Sequence, residues 1–237
     1  MKDFKRVMYK LSGEMLSDSS SIYEVHNIDR ICSDIVNIIN KGIELCIVVG
    51  GGNIMRGRSS SEYGITDIDA DHMGMLGTIM NAIAIKNALI TRFKVDAVVL
   101  SSIRVDKICD YYTVDKARKY IEEGKVVIFG AGIGSPCFST DTAAAIRSVE
   151  VKCDVVLKGT NVDGIYSADP KKDMNAVLYE EVSYAQAIKN EFGFMDAAAM
   201  GILKKYKIPT IVFSANNTEN PLTSLFNDEL RFSIALP

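Results

Sequence analysis

Ile47-Val48-Val49-Gly50-Gly51-Gly52-Asn53 decides how this chain is read. The apolar run from Leu45 to Val49 predicts a fully buried strand. Three glycines follow it without a break. They bring no side chain to pack, so their use lies in the backbone: a sharp turn whose N–H groups no Cβ shields. A concave set of such donors at the C-terminal end of a strand suits an anion, most commonly phosphate. A plain strand-to-helix turn would account for a single Gly-Gly pair. Three glycines, with Arg56 close behind them, favour phosphate.

Upstream, Val7-Met8-Tyr9 predicts a first strand that runs into the polar turn Lys10-Leu11-Ser12-Gly13-Glu14. Between the two strands, Ile28, Ile31, Ile35 and Ile38 recur at helical spacing, with Asn27 as a cap and Gly42 as a stop. Strand, helix, strand is a right-handed βαβ unit. Downstream, a helix is expected from Asp71 to about Arg92, with Asp69 or Asp71 at its cap. It is too apolar to have a wet face, so it must cover the sheet and another surface, such as a second subunit. Further strands are predicted at Val95–Leu100, Val126–Phe129, Val155–Leu157 and Thr210–Phe213, with helices between them. This alternation predicts an α/β fold, a three-layer αβα sandwich with a mainly parallel central sheet. No linker or repeat interrupts it, so one domain is expected over residues 1–237.

Composition narrows the function. The chain has 237 residues, 48% hydrophobic and 24% charged, with a net charge of −3. That balance gives no general basic field for nucleic acid, so any anion site is local. Five scattered cysteines with no Cys-x-x-Cys pair argue for reduced thiols, hence a cytoplasmic protein, rather than disulfides or zinc. Met1 to Lys10 lacks the apolar core of a signal peptide, and the longest apolar run, Met73 to Ile85, falls short of a membrane span.

Two more turns follow predicted strands. Gly130-Ala131-Gly132-Ile133-Gly134-Ser135-Pro136 is glycine-rich but does not match the dinucleotide fingerprint, which disfavours a Rossmann dehydrogenase. Ser139-Thr140-Asp141-Thr142 then opens a helix, where hydroxyls and free N–H groups make a second natural anion site. The last turn is Lys158-Gly159-Thr160-Asn161. In a parallel sheet the four turns gather on one edge, bringing two lysines and an arginine with them. This is equipment for holding several phosphates, as phosphoryl transfer requires. Neither a Walker A motif nor the protein-kinase motif set is present.

On these residues the chain resembles the bacterial uridylate (UMP) kinases of the amino acid kinase superfamily, nearly end to end. The resemblance is carried by Lys10-Leu11-Ser12-Gly13-Glu14, by Gly50-Gly51-Gly52-Asn53 with Arg56-Gly57, and by Asp71-His72-Met73-Gly74-Met75. Ser139-Thr140-Asp141, Val162-Asp163-Gly164, Ala168-Asp169-Pro170 and Met195-Asp196 extend it. The resemblance implies transfer of the γ-phosphoryl group from ATP to UMP, with Mg²⁺. It implies ATP-side roles for Lys10, Leu11, Ser12, Gly13, Gly52 and Arg56, and adenosine-side roles for Thr160, Asn161, Tyr166 and Asp169. It implies UMP contacts from Gly51, Asp71 and the loop Ile133, Gly134, Ser135, Pro136, Cys137, Phe138, Ser139 and Thr140. Lys10 and Lys158 would spread the charge of the reacting phosphates, and Asp196 would orient the lysines. No protein metal ligand is implied. A homohexamer activated by GTP and inhibited by UTP is implied as well.

One departure stands out. Members of the family commonly carry Thr-Gly-Asn-Pro where this chain has Ile133-Gly134-Ser135-Pro136, which bears on base selectivity and on coupling between subunits. Two rival readings remain: the same fold acting on carbamate, an amino acid or isopentenyl phosphate, and a nucleotide-binding protein without catalysis. Asp71-His72-Met73-Gly74-Met75 argues against the first, and the presence of Lys10, Lys158 and Asp196 argues against the second.

Overall fold

The computed structural model describes residues 4–55 and 64–237. Arg56 and Gly57 lie outside the described residues. The central sheet begins with β1 (Arg6–Leu11), β2 (Glu44–Val49), β3 (Ala97–Ser101), β4 (Asp110–Tyr111) and β5 (Val126–Gly130). It is completed by β6 (Val155–Thr160), β9 (Glu181–Ser183), β10 (Thr210–Ser214) and β11 (Phe232–Leu236). A separate two-stranded ribbon pairs β7 (Ile165–Tyr166) with β8 (Leu178–Tyr179). Strand order in the main sheet is β4-β3-β5-β2-β1-β6-β10-β11-β9. Every pairing is parallel except β10 with β11.

Each face of the sheet carries its own core. On one lie α1 (Val25–Ile39), α2 (Asp67–Thr91) and α7 (Pro221–Phe226), packed on Val7, Tyr9, Leu11, Val155 and Leu157. On the other lie α3 (Val114–Glu122), α4 (Thr140–Val151), α5 (Tyr184–Lys189) and α6 (Ala197–Tyr206), packed on Met8 and Val156. The three-layer α/β architecture expected from the alternation is therefore the observed one. The period-2 alternation of a strand has a direct consequence here. With Met8 and Val156 facing α4, Lys10 and Lys158 face it too.

The chain leaves β1 toward β2 on one side and leaves β6 toward β10 on the other. Two adjacent parallel strands whose connections part in opposite directions open a crevice at their carboxyl ends. Both strands are longer than the sequence pattern indicated. Lys10 and Lys158 were expected in the turns that follow them, yet both are strand residues, and they are register partners. Ladder hydrogen bonds on both sides of β1 and β6 carry the strands past the apolar run.

α2 also begins earlier than expected. Thr66 is its cap, accepting a hydrogen bond from Asp69 N at 3.2 Å, and Asp67 and Asp69 fill the first turn. Acidic residues there are favoured by the helix dipole. Asp71 consequently lies in the second turn, inside the helix rather than at its start. α1 differs in the same way: Glu24 caps it, while the Asn27 side chain donates to Ser17 O at 2.9 Å.

α2 is long and apolar enough to cross a membrane by length and composition, more so than the run Met73 to Ile85 suggested. Half of its apolar window is buried in the fold. Its two sides differ in kind. Ala70, Gly77, Thr78, Asn81, Ile85 and Ala88 are buried toward the sheet. On the outside, Met73, Leu76, Met80 and Ile90 are at least 40% exposed. With Asn87, also exposed, and Ile83, which packs partly on the core, they repeat at alternating steps of three and four, the spacing of a helix-pairing seam.

Candidate active site

The site is built where β1 and β6 meet the N-terminus of α4. Adjacent strands lie about 4.8 Å apart, so the Lys10 and Lys158 ammoniums are held close together on one face. The carboxylate of Asp141, in the first turn of α4, sits between them. Its Oδ1 is 3.0 Å from Lys10 Nζ and its Oδ2 is 2.5 Å from Lys158 Nζ. Lys158 Nζ also donates to the carbonyl of Phe194. The three side chains are only 11–14% exposed. Two ammoniums sharing one carboxylate leave a net positive centre in a nearly dry place, where charge acts strongly.

Titration follows from this arrangement. Burial works against the Asp141 carboxylate, but Lys10 and Lys158 outweigh it and hold its pKa below the ordinary carboxylate value. Burial pulls the Lys158 ammonium down, and Lys10 adds to that; Asp141 and Asp196 oppose it without restoring the ordinary value.

Asp196 carries two readings, an orienting role toward the lysines by resemblance and a plain helix cap after Met195, and its direct partners are those of a cap. Its Oδ1 caps α6 by accepting from Ala199 N at 2.8 Å and also accepts from Thr142 Oγ1 at 2.8 Å. Its Oδ2 accepts from Ser139 Oγ at 2.5 Å. Ser139 in turn caps α4, accepting from Asp141 N and Thr142 N at 3.0 and 3.3 Å. Asp196 thus locks the start of α4, the turn that carries Asp141, and reaches Lys158 only through its charge. The lysine partner, Asp141, stood in the Ser-Thr-Asp motif without being singled out; an aspartate in a first helical turn is usually explained by the dipole alone.

Two clefts flank the lysine centre. The first is lined by Gly51, Gly52, Asp71, Gly74, Thr78, Ile133, Ser135, Phe138 and Thr140, among others. It gathers most of the residues matched to UMP. Gly134, Pro136 and Cys137 belong to the same loop, and the Cys137 N–H donates to Asp71 Oδ2 at 2.7 Å. Ser135 Oγ makes only a marginal contact with Pro136 O, at 3.5 Å, and faces the cleft; Ile133 packs on the core behind it.

The second cleft, about 400 Å³, is lined by Val162, Gly164, Tyr166, Ala168, Asp169, Pro170, Gly193 and Phe194, among others. Tyr166 and Asp169, matched by resemblance to the adenosine side, line it. Thr160 and Asn161 do not; they brace its edge. Thr160 Oγ1 donates to Val162 O at 2.7 Å, and Asn161 Oδ1 accepts from Asn216 Nδ2 at 2.8 Å. The lysine centre touches both clefts, through Thr140 beside Asp141 on one side and the Phe194 carbonyl on the other.

The polar turns interlock. Gly50 N donates to Leu11 O at 2.8 Å, tying the two strand ends together. A Cβ on Gly13 would lie 2.4 Å from Gly50 O and 2.5 Å from Asn53 Oδ1, so only glycine fits there. Ser12, just before it, leads into a 3-10 turn over Gly13–Leu16. Asn81 of α2, fully buried, donates from Nδ2 to Gly50 O and to Asn53 Oδ1, each at 2.7 Å. Asn81 belongs to none of the sequence motifs. A polar amide amid Ile79, Ala82 and Ile85 was the available signal, since such a group is buried only when it has partners.

The Asp141 centre predicts a specific stability effect. Asp141→Asn leaves two neighbouring ammoniums without their counter-charge, which should cost about 3 kcal/mol in urea unfolding at neutral pH. Because the folded pKa of Asp141 is depressed, its contribution is present above the unfolded value of 3.8 and is lost as pH falls through the lower folded value. The acid limb of the stability profile should therefore be shallower in the variant. Equal limbs would show that the carboxylate is not coupled to folding.

The profile of the amino acid kinase family matches residues 5–214. A uridylate kinase from Wolbachia sp. subsp. Brugia malayi is 46% identical over 212 residues, covering 89% of this chain and 86% of the relative. A crystal structure of UMP kinase from Ureaplasma parvum superposes with a TM-score of 0.92 at 35% identity, covering 98% of this chain and 99% of that one. The UMP kinase from Bacillus anthracis superposes at 0.90 with 31% identity, over 98% and 96%. An interlocked set of glycine turns, a lysine pair on adjacent strands and a fold shared over its whole length give one conclusion: the chain belongs to the amino acid kinase family, among its uridylate kinases.

Proposed function

We propose that this protein, one amino acid kinase-like domain over residues 1–237, transfers the γ-phosphoryl group of ATP to UMP, giving UDP and ADP. The observation that carries this reading is the Lys10–Asp141–Lys158 centre set between two clefts. UMP occupies the cleft of Gly51, Asp71 and the 133–140 loop. ATP occupies the other, with its adenosine near Tyr166 and Asp169 and its phosphates toward Lys10, Ser12 and Gly13; Gly52, matched to the ATP side by resemblance, lines the first cleft. Arg56 is assigned to the ATP phosphates by resemblance.

The attacking group is a phosphate oxygen of UMP, already ionised at neutral pH, so no general base is needed. The barrier is the approach of two polyanions. Lys10 and Lys158 oppose it with charge that Asp141 fixes in advance, and the two clefts hold the reactants in line. By resemblance Mg²⁺ accompanies the ATP phosphates and would neutralise part of their charge.

Resemblance extends the proposal to a cytoplasmic homohexamer activated by GTP and inhibited by UTP, with no nucleic acid or membrane as partner. Support for assembly comes from the exposed heptad seam of α2, which would be covered by a second copy. Support for a reducing compartment comes from the sequence, whose five cysteines are scattered with no Cys-x-x-Cys pair.

Coupled measurement of ADP release with ATP and each of UMP, CMP, dUMP and AMP tests the reaction. UMP should give the highest kcat/KM, and a preference for any other acceptor overturns the assignment. Asp71→Asn keeps an acceptor for the Cys137 N–H but removes the charge offered to the ribose hydroxyls. It should raise KM for UMP about tenfold to hundredfold, leave KM for ATP nearly unchanged, and narrow the preference for UMP over dUMP. Loss of thermal stability with an unchanged KM would place Asp71 in the scaffold instead. Light scattering at micromolar concentration should show an assembly larger than a dimer, and a stable monomer would contradict the role given to α2.

A further inference from the structure

Two residues of the 130–139 loop adopt left-handed backbone without being glycine: Ala131 at φ +62° and Cys137 at φ +69°. A Cβ disfavours that region, so each must be held there by its surroundings. Both are held in one way. Cys137 N donates to Asp71 Oδ2 and Ala131 N donates to Thr78 Oγ1, each at 2.7 Å. The two clamps come from one helix, seven residues or two turns apart, on one face of α2. Asp71 is already placed beside the acceptor nucleotide; Thr78 has no assigned role.

Thr78 is 3% exposed, and its single hydroxyl proton is committed to Met75 O at 2.7 Å. What remains of the hydroxyl faces Ala131. Ala131 is fully buried, so its N–H has no water to turn to if Thr78 withdraws. Beside this contact the loop lies hard on α2: a Cβ on Gly130 would come 3.2 Å from Ile79 Cα. Further along, Ser102 Oγ donates to Gly132 O at 2.7 Å. The loop therefore starts from a docked, left-handed turn, and the Thr78 hydroxyl is the acceptor for its Ala131 N–H.

We propose that Thr78 is a positioning residue for the acceptor nucleotide, acting through the Ala131 N–H. It sets the turn from which the loop runs to Thr140, so that the acceptor wall is formed before UMP arrives. This rests on the UMP kinase reading. Without the clamp the loop spends part of its time in other conformers, and UMP affinity falls by the fraction that remains competent. The cleft of Tyr166 and Phe194 has no contact with Thr78, so ATP is spared.

Thr78→Val keeps the shape and removes the hydroxyl, while Thr78→Ser keeps the hydroxyl. The valine variant should raise KM for UMP about tenfold, with KM for ATP moving by no more than about twofold, and serine should restore the UMP value to within about threefold. Amide exchange in the 130–139 segment should quicken in the valine variant and stay at the wild-type rate with serine. Should the valine variant fail to fold, Thr78→Ala carries the same readouts. An unchanged KM for UMP, an equal rise for both substrates, or a serine variant that behaves like valine overturns the proposal. Wild-type protein that does not phosphorylate UMP overturns the kinase reading instead, and the exchange comparison then still decides whether Thr78 holds the loop.

Discussion

Two ammonium groups one strand apart repel each other, and the site depends on how that repulsion is held. Lys10 and Lys158 are register partners on adjacent parallel strands, so the ladder prevents them from separating. Asp141 enters from the first turn of α4 and bridges both. One carboxylate against two ammoniums leaves the centre positive, which is the condition for drawing two polyanionic substrates together. A second carboxylate on the lysines would have neutralised it. Asp196 instead spends its oxygens on Ser139, Thr142 and the start of α6. It fixes the platform from which Asp141 acts.

The other organiser is α2, a helix with two different faces. Inward, Asn81 holds the Gly50–Asn53 turn, and Thr78 and Asp71 hold the 130–139 loop. Outward, it offers an apolar seam. One helix therefore carries the registration of two glycine-rich turns on its inner side and an apolar surface on its outer side. Any shift of the helix would be felt at both turns, because packed elements do not deform continuously.

Much of the fold was legible. Buried strands were visible as short apolar runs, and the glycine turns stood out because glycine in number has no packing purpose. Boundaries were less legible where a charged residue continues a strand. Lys10 and Lys158 look like loop residues because nothing in the sequence shows that the face they join holds a carboxylate. Asp71 looked like a cap because an aspartate near a helix start is one, and Thr66, five residues earlier, took that role. Ile133 and Ser135, the departure from the family pattern, both line the first cleft, and Ile133 also packs on the core behind it.

By itself the sequence determined the layer order, the chemistry of the turns and the kinship, since each rests on local pattern or on matched motifs. Tertiary structure alone decided which carboxylate serves the lysines. Asp141 and Asp196 are both acidic residues at helix starts, and no local rule separates them. The difference arises because α4 crosses the ends of β1 and β6 while α6 packs against α4, a relation between elements far apart in the chain. The contacts of Thr78 and Asn81 arise the same way. A hydroxyl or amide inside an apolar helix acquires meaning only from the backbone brought against it, here Ala131 and Gly50.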